Sequence, residues 1–375
     1  MVTTSTPHHV RVTGGQQGQI VNTSAPIVGP DLSKPLINEP AQANPPANLA
    51  VGPLAHLLGT WTNANIGESM RGGPENPFSY NLMTLPQSPT ADPKDPNESP
   101  YGYILKSMSY YEEITFSAIH GPAANRGGTG SQISNAILYE QRVYVSNGPA
   151  EDTLVHFENG IWGFLSPMAQ ALGPYGDGDG TSAGTATFGS APPPLQYNIF
   201  KQISVPHGNS VLACGNVALD GTGSPITQSG APKIGPPPQV LPTGINTDIY
   251  RAQNSVQNLN PAYALNPNLP LSEALALSEI SQFIQLDVSS MSGGGAVANI
   301  GYEQQKADVT EYYATYWLED TGGGNFTQLQ YSQTILLQIP ITLPGASEPT
   351  NIIFPHITTN TLTKVSSGPT SASGR

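Results

Sequence analysis

Ten stretches rich in β-branched and aromatic residues set the terms for any fold of this chain. They fall at 103–120, 133–146, 153–165, 195–205, 210–219, 282–290, 297–304, 309–319, 326–340 and 351–365. Most come in adjacent pairs separated by gaps that carry Gly or Pro, the pattern of antiparallel hairpins. Helical spacing is confined to 51–58, a short turn before the first strand, and to 271–281, where Ala, Leu and Glu recur. Alternating βαβ units are excluded. The sequence predicts an all-β fold, a closed antiparallel β-barrel of about ten strands with long loop insertions.

The domain plan follows from where the strand pattern starts and stops. Residues 1–50 carry prolines at 7, 26, 30, 35, 40, 45 and 46 and show no sustained period. They read as an extended Pro-rich N-terminal arm. Residues 51–366 read as a single barrel domain with long insertions, notably at 86–100 and 225–270, and 367–375 as a disordered tail. The insertions are expected to cover the barrel mouth and set access. The apolar residues of the arm, such as Ile27, Val28 and Ile37, would gain burial only against another surface. A homo-oligomer, most simply a dimer, is therefore expected.

Composition narrows the function classes. Thirteen Lys and Arg against 26 Asp and Glu give a net charge of −13, which argues against an extended nucleic-acid surface. The single Cys excludes a disulfide framework and any multi-cysteine metal site. No run approaches the roughly 18 apolar residues of a membrane span. The N-terminus lacks the apolar core of a secretory signal. These features predict a cytoplasmic protein with a small-molecule ligand and no nucleic-acid or membrane partner. Nucleophile-elbow, zincin and Walker patterns are absent. Asp177-Gly-Asp-Gly lacks the downstream acidic residue of a calcium loop and reads as a flexible acidic turn.

Five motifs occur in a telling order. Leu57-Leu-Gly-Thr-Trp61 enters the first strand and resembles the Gly-x-Trp start of lipocalin-like barrels, which implies a tight approach at the Gly and a Trp61 that closes the barrel floor. Tyr110-Tyr-Glu-Glu-Ile-Thr-Phe116 follows and runs into Ile119-His-Gly-Pro122. Ile137-Leu-Tyr-Glu-Gln-Arg142 is next, then Val155-His-Phe-Glu-Asn-Gly-Ile-Trp162. The last is Asn351-Ile-Ile-Phe-Pro-His-Ile-Thr358. In this order the chain resembles the haem-binding β-barrel family that includes nitrobindins, similar in fold to fatty-acid-binding proteins and lipocalins. The likeness covers the barrel strands and leaves the arm and insertions outside it.

The resemblance implies a b-type haem in the open end of the barrel. His356, in the final strand, would be the axial iron ligand, with an open or water-occupied sixth position. It further implies action on NO, peroxynitrite, peroxide or other small ligands, in an isomerase or peroxidase-like role. The alternative is a non-catalytic, lipocalin-like carrier of an apolar ligand.

The residues have readings of their own. Strand alternation puts Ile352, Phe354, His356 and Leu362 on one face. Pro355 cannot donate to a ladder, so the strand should be distorted or at an edge there. His120 reads as a turn or pocket-rim residue. His156 shares a strand face with Glu158, so a buried His–carboxylate pair is the plain reading, and His207 sits at a hairpin tip where it could overhang a mouth. The cofactor-contacting candidates are thus His356, His207, His156, His120, Trp61 and Phe354, with no catalytic group assigned. The many strand tyrosines read as packing, and Cys214 as a small buried hydrophobe.

Overall fold

The computed structural model describes residues 51–64, 78–86, 102–119, 123–124, 132–146, 150–167, 197–220, 224–250, 254 and 259–365. The arm, the tail, most of the 86–100 insertion, the Asp177 turn and His120 lie outside the described residues.

Among the described residues fifteen strands are arranged in one sheet. They are β1 (Gly59–Thr62), β2 (Ser79–Pro86), β3 (Tyr103–Met108), β4 (Tyr110–Ala118), β5 (Ala123–Ala124), β6 (Gln132–Val145), β7 (Leu154–Pro167) and β8 (Ile199–Val205). After them come β9 (Asn209–Asn216), β10 (Gln228–Ser229), β11 (Gln282–Ser289), β12 (Ala296–Asn299), β13 (Asp308–Asp320), β14 (Phe326–Ile341) and β15 (Thr350–Lys364). Ten of these form a closed antiparallel ring in the order β1–β4–β6–β7–β8–β9–β11–β13–β14–β15. The ring is completed by β1 against β15, where Trp61 faces Lys364 and Thr62 faces Thr363. The barrel expected from the strand count is therefore present.

The details differ in instructive ways. The stretch at 103–120 is two strands, broken at Ser109, whose hydroxyl meets that of Ser146 at 3.1 Å. The stretch at 297–304 stops at Asn299 and turns into the helix α2 (Gly301–Lys306), because Glu303, Gln304, Gln305 and Lys306 are good helix formers with no apolar alternation. Strand β12 pairs with β9 outside the ring, and the short β1 takes a ring position instead. The helix α1 runs over Leu269–Leu275, starting two residues before the helical spacing, with Pro270 in its first turn where a missing N–H costs nothing.

One apolar cluster draws side chains from all ten ring strands and so marks the barrel interior. It holds Trp61, Ile114, Tyr139, Trp162, Ile199, Val211, Leu286, Tyr316, Leu329 and Leu362 among others. A 3-10 helix at Gly52–Leu57 plugs one end with Leu54 and Leu57. Trp61 is fully buried there and donates its indole N–H to the Leu57 carbonyl at 2.6 Å. That matches the floor role expected for it.

The ring needs bare backbone where walls approach. A Cβ on Gly160 would lie 1.9 Å from the Gln202 carbonyl oxygen, and one on Gly215 would lie 1.7 Å from that of Asp287. No other residue fits either position.

The described residues of the Pro-rich stretch at 225–270 lie along the outer wall and not across the mouth, contrary to expectation. Tyr250, Leu259 and Tyr263 join Tyr80, Leu82 and Phe354 in a second apolar cluster. Thr359 donates to the Pro267 carbonyl at 3.1 Å, and Asn268 accepts from Ser332 at 2.7 Å. Thr359 alternates with His356 on β15, so this covering sits on the face opposite the histidine.

Candidate functional site

Alternation on β15 decides where His356 goes. It faces Ile335, whose side chain packs on the interior cluster, and it shares its strand face with Leu362. The interior placement read from the sequence therefore holds for His356 and Leu362. Phe354 shares that strand face in an unbroken register with β14, but it packs on Tyr103 at 5.1 Å and belongs to the second cluster. Pro355 lies where β15 is paired with β14 and before its pairing with β2 begins at Ile357, an edge position as expected.

His356 is accompanied by two of the other candidates. His156 and His207 have ring centroids 5.8 Å apart, one from β7 and the other from the exposed β8–β9 turn. Burial lowers the His356 imidazole, and the charges of His156 and His207 lower it further, to about 4. The ring is neutral at physiological pH. Asn81 Nδ2 lies 3.2 Å from His356 Nε2 and 3.2 Å from Thr358 Oγ1. An amide N–H meets only a lone pair, so with the amide so oriented Nε2 is the unprotonated nitrogen. Trp61 sits at the other end of the barrel under Lys364, whose Nζ is 4.9 Å above its ring.

Behind His156 the barrel is filled by a polar layer. His156 Nε2 lies 3.5 Å from Glu158 Oε2, which bears out the histidine–carboxylate pairing. Glu158 Oε1 takes a hydrogen bond from Tyr139 at 3.0 Å and stands 3.4 Å from Lys201 Nζ. Lys201 is buried, and its ammonium also donates to the hydroxyls of Tyr312 at 3.1 Å and Tyr316 at 2.9 Å. The rings of Tyr139, Tyr316, Tyr312 and Trp162 surround it at 4.9 to 5.9 Å. Desolvation pushes Lys201 down and Glu158 up. The attraction between them, with the phenol oxygens, outweighs both, so the lysine stays above its ordinary range and the carboxyl below.

A second carboxylate sits across the same layer. Glu112 Oε2 accepts from the Tyr331 hydroxyl at 2.9 Å and from Gln141 Nε2 at 2.5 Å. Tyr331 and Tyr110 hydroxyls are 2.8 Å apart. Burial pushes the Glu112 carboxyl up to about 7, against the downward pull of its hydrogen bonds from Gln141 and Tyr331.

No family model matches this chain, and neither do any curated protein or solved structure. The site therefore has to be read from its own chemistry. Among the described residues no group of three or more His, Cys, Asp or Glu is arranged to hold a metal ion unaided.

Sequence reasoning missed the polar layer, although a signal was there. Lys201 occupies an apolar-face position between Ile199 and Ile203, both interior. A charge at period two within an apolar face marks a buried, paired group. Cys214 goes the other way. Val211 and Ala213 are interior, and Cys214 is half-buried on the outer wall, so it is not a core residue.

Proposed function

We propose that this chain is a nitrobindin-like haem protein that binds b-type haem at the end of the barrel where His356, His207 and His156 converge, with His356 as the iron ligand. The observation that carries the reading is His356 itself. Its ring faces the interior, is kept neutral, and carries an Nε2 whose one neighbour, the Asn81 amide at 3.2 Å, would have to yield its place to iron. A bare ion needs several protein donors, and the described residues do not offer such a set. Haem iron arrives with four porphyrin nitrogens and needs one imidazole. The donor chemistry fits.

Ferric haem supplies an iron with a further position open to NO, peroxide or peroxynitrite. The chain's own residues then have separable tasks. Asn81 would give up its contact with Nε2 when the iron is bound and would keep its hydrogen bond to Thr358. Glu158, fixed by Lys201 and Tyr139, orients His156. His207 reaches in from an exposed turn. A carrier of acyl chains needs an elongated apolar cavity, and buried Lys201, Tyr139, Tyr312, Tyr316 and Tyr331 fill the middle of this barrel instead.

Absorbance after adding ferric haem tests the proposal. The wild type is expected to give a Soret band, and His356→Ala to lose it and regain it with imidazole. A variant that keeps the wild-type band position and haem content without imidazole would rule out His356 as the ligand. An extractable apolar ligand with no Soret band would replace the reading with that of a carrier.

A further inference from the structure

The interior tyrosines differ in what their hydroxyls can do with a proton. Tyr316 accepts from Lys201, and an ammonium cannot take a proton. Tyr312 donates to the Gln333 amide oxygen at 2.9 Å, a very weak base. Tyr139 donates to Glu158, a carboxylate neutralised by Lys201. Tyr331 alone among these four donates to a carboxylate with no buried cation beside it, Glu112 at 2.9 Å. Its oxygen also lies 2.8 Å from the Tyr110 hydroxyl, which has the Thr359 carbonyl at 3.2 Å as a second neighbour.

The rings are placed for electron exchange as well. Tyr331 stacks on Tyr316 with centroids 5.3 Å apart and planes 20° apart, and Tyr316 meets Trp162 edge-on at 5.1 Å. We propose that Tyr331 is a one-electron reservoir in the barrel interior, with Glu112 as its proton acceptor and the stacked Tyr316 and Trp162 as the route for the electron. In the oxidation step one electron leaves the Tyr331 ring for a high-potential one-electron oxidant. The phenolic O–H bond breaks and its proton forms an O–H bond on Glu112 Oε2. The products are a neutral tyrosyl radical and a neutral carboxylic acid, with the oxidant reduced by one electron. Re-reduction returns the proton. Burial that makes Glu112 a stronger base than an exposed carboxylate favours this transfer.

The natural oxidant is a peroxide-oxidised haem, a clause that rests on the reading above. Tyr331 lies four residues along β14 from Ile335, the partner of His356, or about 13 Å at the rise of a strand. The reservoir itself is tested without haem. At a pH above 8, where Glu112 is ionised, the haem-free full chain is oxidised with photogenerated tris(bipyridyl)ruthenium(III), frozen, and read by electron paramagnetic resonance. The wild type should give a long-lived tyrosyl signal that is lost in Tyr331→Phe and retained in Tyr312→Phe, with near-ultraviolet circular dichroism confirming that each variant is folded. Glu112→Gln, close to isosteric, should abolish the long-lived signal too, and it decides the matter if Tyr331→Phe fails to fold. The same signal in Tyr331→Phe, or in Glu112→Gln, would overturn the proposal whether or not the protein takes up haem.

Discussion

Glu112 and Glu158 share one barrel interior, each buried and each taking a tyrosine hydrogen bond, yet their protonation is driven in opposite directions. Glu158 has Lys201 at 3.4 Å and a histidine at 3.5 Å, and its carboxyl is held low. Glu112 has Gln141, two phenols and no buried cation, and its carboxyl rises to about 7. Hydrogen bonds alone offset only part of the cost of burying a carboxylate, and a paired charge offsets it fully. The interior thus has a fixed ionic half and a proton-exchanging half.

The sharpest way to break the comparison is Lys201→Met. It leaves the buried Glu158 carboxylate with only the partly exposed His156 beside it and should cost about 3–5 kcal/mol in urea unfolding. Combining it with Glu158→Leu should return much of that loss, because the pair is then gone as a unit. Recovery of nothing in the double variant would show that packing around Lys201, and not its charge, is what the single variant removed.

The next effect is smaller and depends on pH. Glu112 keeps its proton to about pH 7 when folded, against an ordinary value of 4.5. Its contribution is complete below pH 4.5 and declines as pH rises through 7, since the unfolded chain gives up the proton first. The decline is on the order of 3 kcal/mol. Buried Glu319, raised by desolvation to about 8, adds in the same direction. Glu158 does the reverse and loses stability as pH falls below the ordinary carboxylate range. Melting temperatures across pH 4.5 to 8 should therefore slope less in Glu112→Gln than in the wild type, and an unchanged slope would refute the assignment.

The smallest effect belongs to the surface. Arg142 pairs with Glu140 on the outer wall, both side chains close to half-exposed. Arg142→Ala should change the unfolding free energy by less than about 1 kcal/mol, and any effect should vanish in high salt.

The barrel was legible because its strands alternate cleanly and its gaps carry Gly and Pro, so the strand number and the antiparallel order followed. Its histidines were legible in part. His156 with Glu158 is an i, i+2 relation within one strand, and His207 is marked by Pro206 and Gly208 as a turn. Phe354 shares the strand face of His356, and alternation alone could not foretell that this end of β15 packs on a second cluster built by Tyr103 and Tyr80. The polar layer was hidden for another reason. Lys201 meets Tyr312 and Tyr316 from 111 and 115 residues away, and no local pattern encodes a pairing across a ring.

The seam between β1 and β15 also governs how the ring is made. Only Trp61–Lys364 and Thr62–Thr363 are in register there, joined by Val365 N–H to the Thr60 carbonyl at 2.8 Å. Strand β14, by contrast, runs beside β15 from Gln328–Thr363 to Ile341–Thr350. The seam joins residues about 300 positions apart, a separation that makes closure slow and entropically costly. On the ribosome β1 must wait, with its indole uncovered on that side, until β15 emerges. Until then β1 has only β4 as a partner, and its open edge is where another strand could add.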